Sequence, residues 1–297
     1  MAILARLKLP QMRNPLYFLF LITLFVSCKS NTKTLAADTV VQTKSVVNQV
    51  GDQDLIKKFS PIVQGVWVKK AYIEEVGKTQ SPLAATDQVN DITTMYIDTK
   101  KLVGDSLFVL CGWGNHDSSD LELKFQPGRA NSSIKFGDGD LVVTIEKADT
   151  LLTFTRFDQE KKKLVNTIFI KAMNKEPDND LGYGMYYLIN KVLMSGNYIL
   201  TDTLGKVSKV TFDNYGNVSG FLNHSKYEVN IDLNSDPMDN LDMIFFTDKY
   251  GKQSSGLKGD FSFKFIADTL NLYDSHPNTD STELILGKRV YKLVRQK

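Results

Sequence analysis

The sequence predicts an all-β protein of two tandem eight-stranded antiparallel barrels, each preceded by a short helix. Three observations carry that expectation. A hairpin-like stretch occurs twice: residues 139–151 read G-D-L-V-V-T-I-E-K-A-D-T-L and residues 259–270 read G-D-F-S-F-K-F-I-A-D-T-L, and a match at such a separation points to a duplicated unit. Around each copy, short runs with apolar residues at alternate positions are punctuated by Gly, Asp and Asn, the pattern of strands joined by tight turns. Before each set, apolar residues at helical spacing lead straight into Gly-x-aromatic, Gly65-Val66-Trp67 and then Gly196-Asn197-Tyr198.

The first copy covers residues 53–175. Leu55, Phe59, Ile62 and Val63 recur at near-helical spacing and predict a short lead-in helix, whose regularity Pro61 limits. A strand is expected from Gly65 through Val76, then strands at 92–97, 105–113, 120–125, 132–136, 140–147, 150–157 and 164–172. Leu121, Leu123 and Phe125 alternate with Glu122 and Lys124, as in a sheet wet on one face. Leu107, Val109, Cys111 and Trp113 share one face, but Phe108 and Leu110 make the other apolar too, so that strand reads as covered on both sides. No helix of ordinary length is expected between the strands, which argues against parallel crossover units.

Residues 173–180 read as a linker, and residues 181–297 as the second copy. Met185, Leu188, Ile189, Val192 and Leu193 follow the spacing of an amphipathic helix. Strands follow at 196–202, 206–213, 217–222, 226–233, 241–247, 258–266, 268–273 and 283–294; in the fourth, Tyr227, Val229, Ile231 and Leu233 alternate with Lys226, Glu228, Asn230 and Asp232. Eight sequential strands with short turns suggest an up-and-down barrel, whose closure removes exposed edges. Within the repeated stretch, Leu141, Val143 and Ile145 match Phe261, Phe263 and Phe265 as one strand face, while Asp149 and Asp268 read as turn residues.

The N-terminus reads as an address. Residues 16–26 form an apolar run of 11 behind Arg13, too short to span a bilayer, which takes about 20, and suited to the h-region of a signal peptide. Ser27-Cys28 then resembles the bacterial lipoprotein processing site, with Phe25 where that site usually has Leu. The resemblance implies a signal peptide over 1–27, lipidation of Cys28 and a flexible tether over 28–52, with a reach of roughly 25–30 Å. It further implies an envelope protein held at a membrane, most naturally the bacterial outer membrane, by its lipid. The other reading is an ordinary secreted protein with Cys28 incidental.

Charge and cysteine use fit that setting. The net charge is +2, but Arg6, Lys8 and Arg13 all precede Cys28, leaving 33 basic and 34 acidic residues in the chain from Cys28 onward. No basic stripe is present to neutralise phosphates, so no nucleic-acid partner is expected. With Cys28 lipidated, Cys111 has no partner and reads as a small buried hydrophobe.

A short helix, Gly65-x-Trp67 at the first strand, the degraded Gly196-x-Tyr198 and eight sequential strands per copy together resemble the lipocalin-like (calycin) barrels, and with Cys28 a two-barrel lipoprotein of Bacteroidetes type. The resemblance implies that Trp67 packs the closed end of its barrel. It also implies that Arg289 stands for the family's last-strand arginine covering the motif aromatic, a position with no arginine near Ile170 in the first copy. Its functional implication is a small apolar or amphipathic ligand held in a barrel. The alternative is a non-enzymatic structural or interaction module of the cell envelope with filled barrels and an envelope protein as partner.

No catalytic constellation appears. His116, His224 and His276 have no metal-ligand spacing, and there is no H-E-x-x-H, G-x-S-x-G or P-loop. Asp232-x-Asn234-x-Asp236 begins like a calcium loop, but Pro237 replaces the glycine such a loop requires. No metal, no cofactor and no enzymatic activity are therefore expected. The candidate ligand-binding segment is the loop 113–120, where Trp113, His116 and Asp117 bring an aromatic ring, an imidazole and a carboxylate to a barrel mouth; a solvated hairpin loop is the other reading.

Overall fold

The computed structural model describes residues 52–147, 149–175, 181–201, 205–233, 238–248 and 259–297. The signal-peptide and lipidation expectations, Cys28 included, and parts of the linker and of the 232–237 loop lie outside the described residues. Both barrels belong to one compact unit, residues 48–297.

Helix α1 (Asp52–Val63) leads into β1 (Gly65–Lys69). Strands β2 (Ile92–Ile97), β3 (Ser106–Trp113), β4 (Asp117–Pro127), β5 (Ser133–Phe136), β6 (Gly139–Glu146), β7 (Asp149–Asp158) and β8 (Lys163–Met173) follow, and β8 returns to pair with β1. The order is strictly sequential and the sheet is a closed antiparallel barrel. Alternation places Trp67, Met95, Val109, Cys111, Leu123, Phe125, Phe136, Leu141, Leu152, Phe154 and Phe169 inward, and all are buried in one cluster with Leu55, Phe59 and Val63 of α1. Burial pushes the Cys111 thiol up to about 12, so it packs as an inert hydrophobe in the lumen.

The second repeat begins with α3 (Tyr183–Ile189), which runs into a π turn, Asn190–Met194. Its strands are β9 (Gly196–Thr201), β10 (Val207–Phe212), β11 (Val218–Ser219), β12 (His224–Val229), β13 (Met243–Asp248), β14 (Asp260–Ile266), β15 (Thr269–Pro277) and β16 (Leu284–Arg295). They form an antiparallel sheet in the order β11-β10-β9-β16-β15-β14-β13-β12. β11 and β12 approach through a bridge between Asn217 and Lys226 and a bond from the Tyr227 N–H to the Gly216 carbonyl, 2.7 Å, so this barrel is nearly closed. Its interior is filled by aromatic rings: Phe221 lies 4.8 Å from Phe246 and 5.2 Å from Tyr291, and Phe261 5.6 Å from Tyr291.

One expectation fails at the first strand. β1 stops at Lys69 and the chain turns into a ten-residue helix, α2 (Lys70–Thr79), followed by a 3₁₀ turn at Leu83–Gln88. The physical reason is that Tyr72, Ile73 and Val76 form a helical stripe, supported by the Lys70–Glu74 ion pair one turn apart, whereas only Val66 to Val68 have two apolar faces to bury. That stripe, with Val68, Ala85 and Val89, joins the core of the second barrel. Gly184 of α3 sits directly on Val66, so β1 is buried on both faces: Trp67 in its own lumen, Val66 and Val68 against the second repeat.

The repeated hairpin needs a smaller correction. Glu146 pairs with Asp149 and Ile266 with Thr269, so both hairpins have two-residue turns. Lys147 and Ala267 hold the left-handed position, φ +59° and +51°. Asp268 is therefore a turn residue, but Asp149 opens β7. The Ala-Asp-Thr-Leu match is offset by one residue from the structural equivalence.

Candidate functional site

The two Gly-x-aromatic segments build the same latch. In the first repeat the Trp67 indole donates to the Val63 carbonyl, 2.7 Å, while the Lys171 ammonium lies 4.8 Å from the Trp67 ring centroid and donates to the Ile62 carbonyl at 3.0 Å. In the second, the Tyr198 hydroxyl donates to the Met194 carbonyl, 2.7 Å, and Arg295 donates to the Tyr198 oxygen, 2.8 Å, and to the Leu193 carbonyl. Trp67 is paired in register with Lys171, and Tyr198 with Arg295. The covering cation of the second copy is thus Arg295, and Arg289 bonds Asn271 instead, 3.3 Å. In the first copy a lysine takes the place of the arginine. Both latches use carbonyls that a helix end leaves unpaired, so these aromatics are structural.

The predicted loop lies in the β3–β4 hairpin at the other end of the first barrel. His116 Nδ1 lies 3.0 Å from Asp232 Oδ2, and the Asn115 amide donates to the Ile231 carbonyl, 3.4 Å. The Asp232 carboxylate, by hydrogen bond and then by charge, raises the His116 pKa above the ordinary imidazole value. His116 and Asp117 line a cleft of about 250 Å³ whose apolar side is Leu181, Met185 and Ile231. Trp113 is not among its lining residues: the ring packs against the first core, and its N–H donates to Ser119, 2.7 Å. The structure thus brings His116 and Asp117 together and places Trp113 apart, and it makes the loop a strap between the two barrels.

A second cleft, of about 460 Å³, opens in the wall of the first barrel and was not anticipated from the sequence. It exists because β1 is short. Lys69 pairs with Phe169, so residues 163–168 of β8 have no strand partner on the β1 side. On the opposite side β2 starts only at Ile92, and the chain from Lys69 leaves as α2. Leu152 and Phe154 of β7 face the lumen, and the same alternation brings Arg156 and Asp158 to the rim, beside Thr167 and Val165 of β8. The lumen is apolar up to the level of Phe154 and Phe169 and becomes charged above it. One signal was available: Leu152, Phe154, Arg156, Asp158 is a single strand face that changes character midway.

Lys69 sits at that change of level. It is 8% exposed, and its ammonium donates to the Asn90 carbonyl, 2.8 Å, and to the Asn90 side-chain oxygen, 2.9 Å. Burial lowers its pKa below the ordinary lysine range, opposed by the charge of Asp91. Arg156 donates to Asp91, 2.7 Å, which occupies a left-handed backbone position, φ +66°.

Among the described residues no group of three or more His, Cys, Asp or Glu side chains could hold a metal ion, and no helix is long and apolar enough to cross a membrane. No protein-family model matches the chain, and no curated protein matches it significantly. At the coarse level, two eight-stranded antiparallel barrel-like sheets, one closed and one nearly closed, fit a lipocalin-like fold.

Proposed function

We propose that this chain is a lipid-anchored protein of the bacterial cell envelope, of the Bacteroidetes lipocalin-like type, and works as a non-enzymatic interaction module. The observation that carries the second part is that both lumens are occupied by the chain's own side chains. Trp67, Phe125, Phe136 and Phe154 fill the first, and Phe212, Phe246, Phe261 and Phe263 the second, all at most 2% exposed. An eight-stranded barrel has an interior just wide enough either to be filled by side chains or to hold one small ligand, and these rings take that space. The anchor reading is supported by Ser27-Cys28 behind the apolar run 16–26; in this proposal the lipid holds the module at the outer membrane and the tether 28–52 presents it to an envelope protein.

The reading in which a small apolar or amphipathic ligand is bound has one observation in its favour, the cleft at His116 and Asp117 with its Leu181, Met185 and Ile231 side. Two measurements separate the possibilities. Radiolabelled palmitate should enter the wild-type chain in a bacterial host and be absent from Cys28→Ala; equal labelling removes the anchor. Native mass spectrometry of the protein from its own host should show no co-purifying apolar molecule, and a stoichiometric one would replace the filled-barrel reading with ligand carriage.

A further inference from the structure

Four cations and three acids line the gap in the wall of the first barrel: Lys69, Lys70, Arg156 and Lys161 against Glu74, Asp91 and Asp158. Each acid is paired with one of these cations, though Asp91 engages through Oδ2 alone and its Oδ1 is buried with no hydrogen-bond partner. Glu74 pairs with Lys70, Asp91 with Arg156 at 2.7 Å, and Asp158 with Lys161 at 3.3 Å. The remaining charge is Lys69, which is the most deeply buried of the four. Its two hydrogen bonds go to neutral oxygens of Asn90, and no carboxylate lies within ion-pair distance of it among the described residues. An ammonium has three N–H donors and a guanidinium five. Lys69 therefore retains one donor, and Arg156, which gives one bond to Asp91, retains several. The nearest counter-charge, Asp91, acts on Lys69 only beyond ion-pair distance and is shared with Arg156; a buried charge so weakly compensated is costly, and a directly bonded anion relieves that cost.

We propose that this gap is a binding site for an oxyanion, a carboxylate or phosphate group, held by Lys69 and Arg156. Three features of the surroundings suit it. The first turn of α2 has no acidic residue and no side-chain cap, and Lys70 and Ala71 of that turn line the cleft, so the positive end of the helix faces the same space. Thr167, as buried as Lys69 and lining the same cleft, offers a hydroxyl. The floor is the Phe154–Phe169 level of the packed lumen, which keeps water out from below and strengthens the charged contact. The cleft volume admits a small molecule bearing the anion, with Val165, Ile168 and Ala71 as its apolar contacts.

The site is tested on the full chain by isothermal titration with inorganic phosphate and, in a separate arm, with succinate. Saturable one-site binding of either is expected; the arm that saturates at lower concentration names the anion. Lys69→Met should weaken it by at least about tenfold, the worth of one hydrogen bond to a charged group, Lys69→Arg should retain most of it, and Lys209→Met, on the exposed face of β10, should leave it unchanged. Should Lys69→Met fail to fold by circular dichroism, Arg156→Gln serves in its place with the same expected loss. No binding of either anion up to about 20 mM, well beyond the millimolar affinity expected of one desolvated charge contact, overturns the proposal. So does binding that neither cleft substitution changes.

Discussion

The two repeats share a latch and diverge immediately after it. In both, a helix ends, a positive-φ glycine turns the chain, and an aromatic two residues later bonds back to the fourth residue before it, under a cation from the last strand. The first repeat then leaves its sheet for α2 and a 3₁₀ turn, whereas β9 of the second continues into a hairpin with β10. The departing helix buries Tyr72, Ile73 and Val76 in the second repeat's core, and Asp242 at the start of β13 accepts from Ser81 and from the Leu83 N–H, 2.9 Å, at its far end. The same departure leaves the first barrel's wall open beside β8. A duplicated latch therefore supports two different tasks: the first repeat gives up part of a strand to bind the second, and gains a charged cleft by doing so.

The comparison is most strongly tested at the latch aromatics. Trp67→Ala removes a fully buried indole and should cost about 3–5 kcal/mol, measured by urea unfolding. Because β1 and α2 share a core with the second repeat, the loss should appear in one cooperative transition, and two separated transitions would show that the barrels fold independently. Next in size are the glycines. Gly65 is at φ +127° and a Cβ there would overlap the Met173 carbonyl oxygen, so Gly65→Ala should cost about 2–4 kcal/mol. Gly196, at φ +150°, has only the Arg295 side chain near, 3.6 Å away, and Gly196→Ala should cost about 1–2 kcal/mol. Equal losses would mean that the two turns are not distinguished by packing.

Tyr198→Phe tests the second latch alone. It leaves the Met194 carbonyl and part of Arg295 without their partner and should cost about 1–3 kcal/mol; a neutral result would show that the ring alone makes the latch. The smallest effect is the strap between the barrels. The His116 pKa is raised by Asp232 above its ordinary 6.5. The contribution of a raised group is fully present below the unfolded pKa and is lost as pH rises through the folded one. An NMR titration should therefore find His116 above 6.5, and Asp232→Asn should bring it back down; an unchanged value would remove the strap.

Much of this was legible because strands report on themselves. Tyr227 and Val229 alternate with polar neighbours, and the turn residues bound each run, so the strand set and the lead-in helices at Leu55–Val63 and Met185–Leu193 followed from local pattern. Residues 70–76 did not. Tyr72 and Ile73 are adjacent, and a stripe of three apolar residues next to the doubly apolar Val66–Val68 extends a strand as readily as it starts a helix. What decides it is a surface on the other repeat, which no window of sequence contains.

The candidate sites divide the same way. His116 and Asp117 could be singled out because they lie together in one loop, but their partner Asp232 is 116 residues away. Lys69, Asp91 and Arg156 come from three separate segments and meet only because β1 ends early. Arg295 rather than Arg289 covers Tyr198 because register, not motif, places it.

By itself the sequence determined an all-β duplication, its two lead-in helices, the glycine and aromatic of each latch, and the apolar faces that fill each lumen. These depend on the period of side chains along a strand and on backbone conformations that few residues tolerate, and both are local. The tertiary structure alone decided that β1 breaks into α2, that the second core extends across the repeats, and that a buried ammonium in a gap of the first wall bonds only neutral oxygens. Those depend on which surfaces meet, and burial and charge compensation are settled only where distant segments come into contact.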